Sequence, residues 1–107
     1  MTNVPSILQN VESMVFTFTG CSQLVSVPNI PTSVKNMAYT FQSCRNLGNV
    51  IIESSEVMNA IHCFKSTTAT KNVYIPFNST TYNSFINAGY DENGTQHGVY
   101  LKDINSL

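Results

Sequence analysis

Val34-Lys35-Asn36-Met37-Ala38-Tyr39-Thr40-Phe41 returns 23 residues later as Val57-Met58-Asn59-Ala60-Ile61-His62-Cys63-Phe64. It also stands 23 residues earlier, as Val11-Glu12-Ser13-Met14-Val15-Phe16-Thr17-Phe18. Leu24 and Leu47, then Val27, Val50 and Val73, carry the apolar spacing onward, and Val4 lies 23 before Val27. A fixed period of this size marks a solenoid, in which one unit cannot bury its apolar side alone and neighbours must stack. The expected fold is a short α/β solenoid of about four coils, with parallel strands on one side and short helices on the other. The 107 residues read as one repeat domain, with units near 11–33, 34–56 and 57–79 and an irregular capping unit at 80–107.

Within each copy the first half has helical spacing. Val11, Met14, Val15 and Phe18 fall at i, i+3, i+4 and i+7, as do Val34, Met37, Ala38 and Phe41, and then Val57, Ala60, Ile61 and Phe64. That stripe predicts a short helix with one buried face. Asn10, Ser33 and the Ser54-Ser55 pair precede the stripes as helix starters. The second half reads extended, because Asn49-Val50-Ile51-Ile52 and Asn72-Val73-Tyr74-Ile75-Pro76 are rich in β-branched and aromatic residues. Ser26-Val27-Pro28-Asn29 is a weaker strand, and Asn3-Val4-Pro5 looks like the same strand of a truncated preceding unit. In the last unit Tyr82, Phe85 and Ile86 form a helical stripe, a polar loop runs from Gly89 to Gly98, and Val99-Tyr100-Leu101 copies Val73-Tyr74-Ile75 at a distance of 26.

Composition removes several classes of function. Charged residues make up 10% of the chain and the formal net charge is -1. The scattered lysines and arginines form no basic stripe for nucleic acid or an acidic membrane surface. No apolar run is long enough to insert in a membrane. The start lacks the basic and greasy segments of a signal peptide, so the chain is expected either to bypass that export route or to be a piece of something longer. Three cysteines without paired spacing argue against a disulfide framework. Cys21 and Cys44 hold equivalent positions, so a bridge between them stays open if their Cα atoms come within about 7 Å.

Phe18-Thr19-Gly20-Cys21-Ser22-Gln23-Leu24, followed by Ile30-Pro31-Thr32-Ser33-Val34, resembles the leucine-rich repeats of the BspA-like type. Phe41-Gln42-Ser43-Cys44-Arg45-Asn46-Leu47 repeats the rhythm, whereas the third copy puts Thr67 in place of the cysteine and Thr70 in place of the leucine. The resemblance spans about residues 3–78, and the closing stretch from Asn72 to Asp103 looks like the end unit of such proteins from gut bacteria and their phages. It implies a leucine-rich-repeat-type solenoid at a cell surface, outside the cell or on a virion, acting in recognition or adhesion toward a protein or glycan ligand. The alternative is a structural or assembly segment of a phage tail or bacterial surface array.

If the valine column of the strands points inward, alternation sends Ile51, Tyr74 and Tyr100 outward, with Asn49, Asn72 and Gly98 forming a parallel polar column. The candidate binding residues are therefore Asn49, Ile51, Asn72, Tyr74 and Tyr100, since tyrosine beside asparagine offers an apolar ring and fixed amide donors and acceptors. The competing reading is an asparagine ladder that bonds its own turns. No nucleophile motif or phosphate loop is present, so no enzyme activity, catalytic residue or cofactor is expected. Asp91-Glu92-Asn93-Gly94 lacks the closing acidic ligand of a calcium loop, which makes it a turn and leaves no metal site. Self-association is expected through the N-terminal edge around Val4, where unpaired backbone invites another strand.

Overall fold

The computed structural model describes residues 10–107. It is an α/β domain in which three parallel strands form one sheet and a single α-helix is present among the described residues. The elements are β1 (Val50–Ile51), β2 (Lys71–Ile75), α1 (Thr80–Asn87) and β3 (Val99–Asp103), followed by a 3-10 turn at Ile104–Ser106. The sheet order is β1-β2-β3. Val50, Val73, Ile75, Val99 and Leu101 point into the core, while Ile51, Asn72, Tyr74 and Tyr100 alternate to the other face and are half-buried. Ile30 extends the pairing by a parallel bridge to Ile52, its N–H donating to the Ile51 carbonyl at 2.8 Å. The weak strand expected at 26–29 does not form; the bridge lies one residue beyond it, at Ile30. The segment around Val4, and with it the expected self-associating edge, lies outside the described residues.

The helices expected at 11–18, 34–41 and 57–64 are absent, so a layout of four coils with helices opposite the sheet is not what the chain adopts. Their backbone donors go elsewhere. Met14, Phe16, Phe18 and Gly20 donate to the carbonyls of Asn36, Ala38, Thr40 and Gln42. Met37, Tyr39, Phe41 and Ser43 donate in the same way to Asn59, Ile61, Cys63 and Lys65. The alternate donors close tight local turns instead: Thr17 to Met14, Thr19 to Phe16, Thr40 to Met37 and Cys44 to Phe41. A donor committed to a neighbouring turn cannot also make the i−4 bond of a helix.

Two side-chain features hold this staircase. Asn36 and Asn59 each accept, through Oδ1, the N–H two residues ahead, at 3.1 and 3.0 Å, and Ser13 accepts more loosely at 3.5 Å. Such local bonds compete with helix formation. Three residues after each of them the chain enters the left-handed region, at Phe16 (φ 60°), Tyr39 (φ 57°) and His62 (φ 52°). It does so again four residues later, at Gly20 (φ 78°), Ser43 (φ 64°) and Ser66 (φ 62°). A left-handed residue ends any right-handed helix and costs a non-glycine residue about 1–2 kcal/mol. The serines expected to start helices bond backward: Ser33 Oγ donates to the Val11 carbonyl at 2.7 Å, and Ser54 Oγ to Val34 at 2.6 Å.

The core is a stack built at the repeat spacing. The Phe18, Phe41 and Phe64 rings lie nearly parallel, with centroids 5.7 and 5.3 Å apart, and Phe85 of α1 continues the line at 6.2 Å. Met14, Met37, Leu24, Leu47, Val34 and Val57 fill the space around them, fully buried. Helix α1 starts at Ser79, whose hydroxyl accepts the Tyr82 N–H, and it buries Thr81, Ser84 and Phe85.

Candidate functional site

The outward face of the sheet gathers the five predicted binding residues, but in a register different from the expected one. β2 and β3 pair Lys71 with Val99, Asn72 with Tyr100, Val73 with Leu101 and Tyr74 with Lys102. The offset is 28 residues, not 26. A shift of two preserves which face each side chain occupies and changes its neighbour. Tyr74 therefore sits opposite Lys102, beside Ile51 on β1, and the position expected for Gly98 is taken by Tyr100. Asn49 Oδ1 accepts the Asn72 N–H at 2.8 Å, so this part of the asparagine column is engaged by the backbone of the next unit. The Tyr100 ring is covered: a Cβ placed on Gly94 would lie 2.4 Å from its Cζ, which only glycine permits.

A second surface feature was not visible as a site in the sequence. Phe16, Tyr39 and His62 form an aromatic ladder at the repeat spacing, with ring centroids 4.7 Å apart for the first pair and 5.2 Å for the second. Phe16 is 56% exposed, and Tyr39 and His62 are half-buried. All three are the left-handed residues of their turns. Strained backbone of this kind persists only where the surrounding structure fixes it, here through the turn-to-turn bonds that Phe16 and Tyr39 donate to Ala38 and Ile61. The signal in the sequence was the return of a ring at 16, 39 and 62, inside stretches that read as helix.

Two of the three thiols are buried. Cys44 is buried with its thiol donating to the Phe18 carbonyl at 2.9 Å, and burial pushes its pKa up to about 11. Burial pushes the Cys63 thiol further still in the same direction. His62 and Cys63 are neighbours in a turn; the imidazole lies tilted against Tyr39 while the thiol is fully buried, so the two form no pair. Cys21, Cys44 and Cys63 are all free thiols.

Lys71 is fully buried in β2, where its Nζ donates to Thr67 Oγ1 at 3.2 Å and to the carbonyls of Ala69 and His97; burial lowers its pKa to about 8. The Asp91 carboxylate accepts the Asn93 and Thr95 N–H groups and the Thr95 hydroxyl, which together hold its pKa down. That arrangement is a turn closed on itself. No group of three or more ligating side chains placed to hold a metal occurs among the described residues, and no described helix is long and apolar enough to cross a membrane.

Compared with protein-family models, with curated proteins and with solved structures, the chain matches none of them.

Proposed function

We propose that the chain is a non-catalytic recognition or adhesion module, built as a short solenoid of the leucine-rich-repeat type. The observation that carries this reading is the Phe16–Tyr39–His62 ladder. Three rings at a 4.7–5.2 Å spacing, the first pair stacked and the second tilted, make a continuous aromatic strip with imidazole and phenol polar atoms along it. Rigid aromatic contacts bury large area at low cost in side-chain freedom, which favours their use in binding. The turn-to-turn bonds from 14–20 to 36–42, and from 37–43 to 59–65, support the solenoid reading, because each unit completes the backbone bonding of the one before. The extended repeat spacing suits an extended ligand, a glycan or a peptide, at a cell surface or on a virion.

Immobilised glycans and extended peptides, screened with the wild-type chain and with Phe16→Ser, Tyr39→Ser and Tyr74→Ala, test the reading. The expected result is a retained ligand that is lost with Phe16→Ser or Tyr39→Ser while the variants keep the wild-type melting curve. Loss confined to Tyr74→Ala moves the site to the sheet face. A screen without a retained ligand, together with a solution mass that rises with concentration, overturns recognition in favour of an assembly segment.

A further inference from the structure

The last stacked turn, residues 57–66, has to end the pattern of donors pointing forward. Where Phe18 donates to Thr40 and Phe41 to Cys63, Phe64 donates to the hydroxyl of Tyr90 at 2.8 Å. Where Gly20 donates to Gln42 and Ser43 to Lys65, Ser66 donates to Nδ1 of His97 at 3.3 Å. Two side chains from the closing segment thus stand in for two backbone carbonyls. The His97 carbonyl holds the other side of the joint, accepting the Thr67 hydroxyl at 3.2 Å and Lys71 Nζ at 3.5 Å.

A phenol oxygen accepts a hydrogen bond at any pH at which a protein folds. An imidazole nitrogen accepts only when it carries no proton, so neutral His97 must keep its hydrogen on Nε2. Protonated His97 is a donor at both nitrogens, and Ser66 N–H then faces another donor. The charged and titratable groups acting on the ring are Lys71 of β2 and Lys65 and His62 of the preceding turn. All three bear or acquire positive charge. Asp91, a carboxylate of the same loop, is already engaged by Asn93 and Thr95.

We propose that His97 is an acid-sensitive latch: its protonation breaks the bond from Ser66 and loosens the 91–98 loop against the last stacked turn, while the His97 carbonyl keeps its bonds to Thr67 and Lys71. The inference is independent of whether either face binds a ligand. Burial and the three cationic neighbours hold the His97 pKa below its ordinary value of 6.5. A histidine whose folded pKa is depressed stabilises the fold above 6.5 and loses that contribution as pH falls from there through the lower folded value.

The test is amide hydrogen exchange at Ser66, expressed as a protection factor between pH 7.5 and pH 5, on the full chain and on His97→Asn. Asparagine tolerates the left-handed backbone at this position (φ 52°) and offers an amide oxygen that does not titrate in this range. Expected is about a tenfold fall in Ser66 protection for the wild type, the size of one net hydrogen bond, with Phe64 protection unchanged and His97→Asn flat across the range. Wild-type protection that stays constant to pH 5 overturns the latch. So does a His97→Asn profile that falls in parallel with the wild type. If His97→Asn does not fold, nitrogen chemical shifts of the wild-type imidazole decide: a proton resident on Nδ1 at pH 7.5 overturns it.

Discussion

Residues 34–41 and residues 80–87 place buried side chains at the same helical intervals, Val34, Met37, Ala38 and Phe41 in the first and Thr81, Ser84 and Phe85 in the second. The second segment is helix α1; the first contains no helix at all. In 34–41 the donors of Met37, Tyr39 and Phe41 reach carbonyls of the next turn, and Tyr39 sits in the left-handed region. In α1 the Asn83 N–H bonds back to the Ser79 carbonyl in the helical i−4 pattern, the first-turn Thr81 N–H reaches out to Ser55, and no residue between 80 and 87 has a positive φ. Equal spacing of buried side chains therefore leaves the local conformation open. A following turn that offers carbonyls at the right height decides it, because each N–H has to find one acceptor.

The comparison breaks most readily at the shared core. Phe41→Ala removes the middle ring of the stack, between two rings at 5.3 and 5.7 Å, and should cost about 3–5 kcal/mol in urea unfolding. Much smaller losses would mean that the turns are held by their backbone bonds alone. Asn36→Ala leaves the buried Ala38 N–H without its side-chain acceptor and should cost about 1–2 kcal/mol, with the turn at Tyr39 losing exchange protection first. On the helical side, Ser79→Ala removes the acceptor of the Tyr82 N–H and should cost about 1 kcal/mol, confined to α1.

The smallest effect has the opposite sign. Ser43 occupies the left-handed position that Gly20 fills one unit earlier, so Ser43→Gly should raise stability by about 0.5 kcal/mol, relief of strain outweighing the added freedom of the unfolded chain. A melting temperature below wild type would show that the Ser43 side chain contributes more than its backbone costs.

Much of the core was legible in the sequence. Phe18, Phe41 and Phe64, Leu24 and Leu47, and Val50 and Val73 are buried in columns at the spacing at which they were read. The extended segments at Val50 and Val73 also pair in the expected register. The expected helices fail because an i, i+3, i+4, i+7 stripe constrains only which side chains are buried, and a staircase of tight turns buries much of that set, Met14, Phe18, Val34, Met37, Ala38, Phe41, Val57, Ala60 and Phe64, while leaving Ile61 exposed. The left-handed corners were less visible, since only Gly20 among the six advertises its conformation; phenylalanine, tyrosine, histidine and serine hold the other five.

Of the candidate site, the outward-facing set Ile51, Asn72, Tyr74 and Tyr100 was legible from alternation. The neighbours of Tyr74 and Tyr100 were not, because the 89–98 loop sets an offset of 28 that no local pattern encodes. Lys71 was also missed: a lysine at a strand start reads as exposed until the carbonyls of Ala69 and His97 are seen to surround its ammonium.

The bonds from Met14, Phe16, Phe18 and Gly20 into residues 36–42 are the same, atom for atom, as those from Met37, Tyr39, Phe41 and Ser43 into residues 59–65. Adjacent copies are thus interchangeable at their joints. A further 23-residue cassette inserted after residue 56 would offer the same carbonyls to the unit before it and direct the same donors into the unit after it. Tyr90 and His97 would terminate the longer array as they do this one, so copy number can change by duplication while the closing piece is invented once.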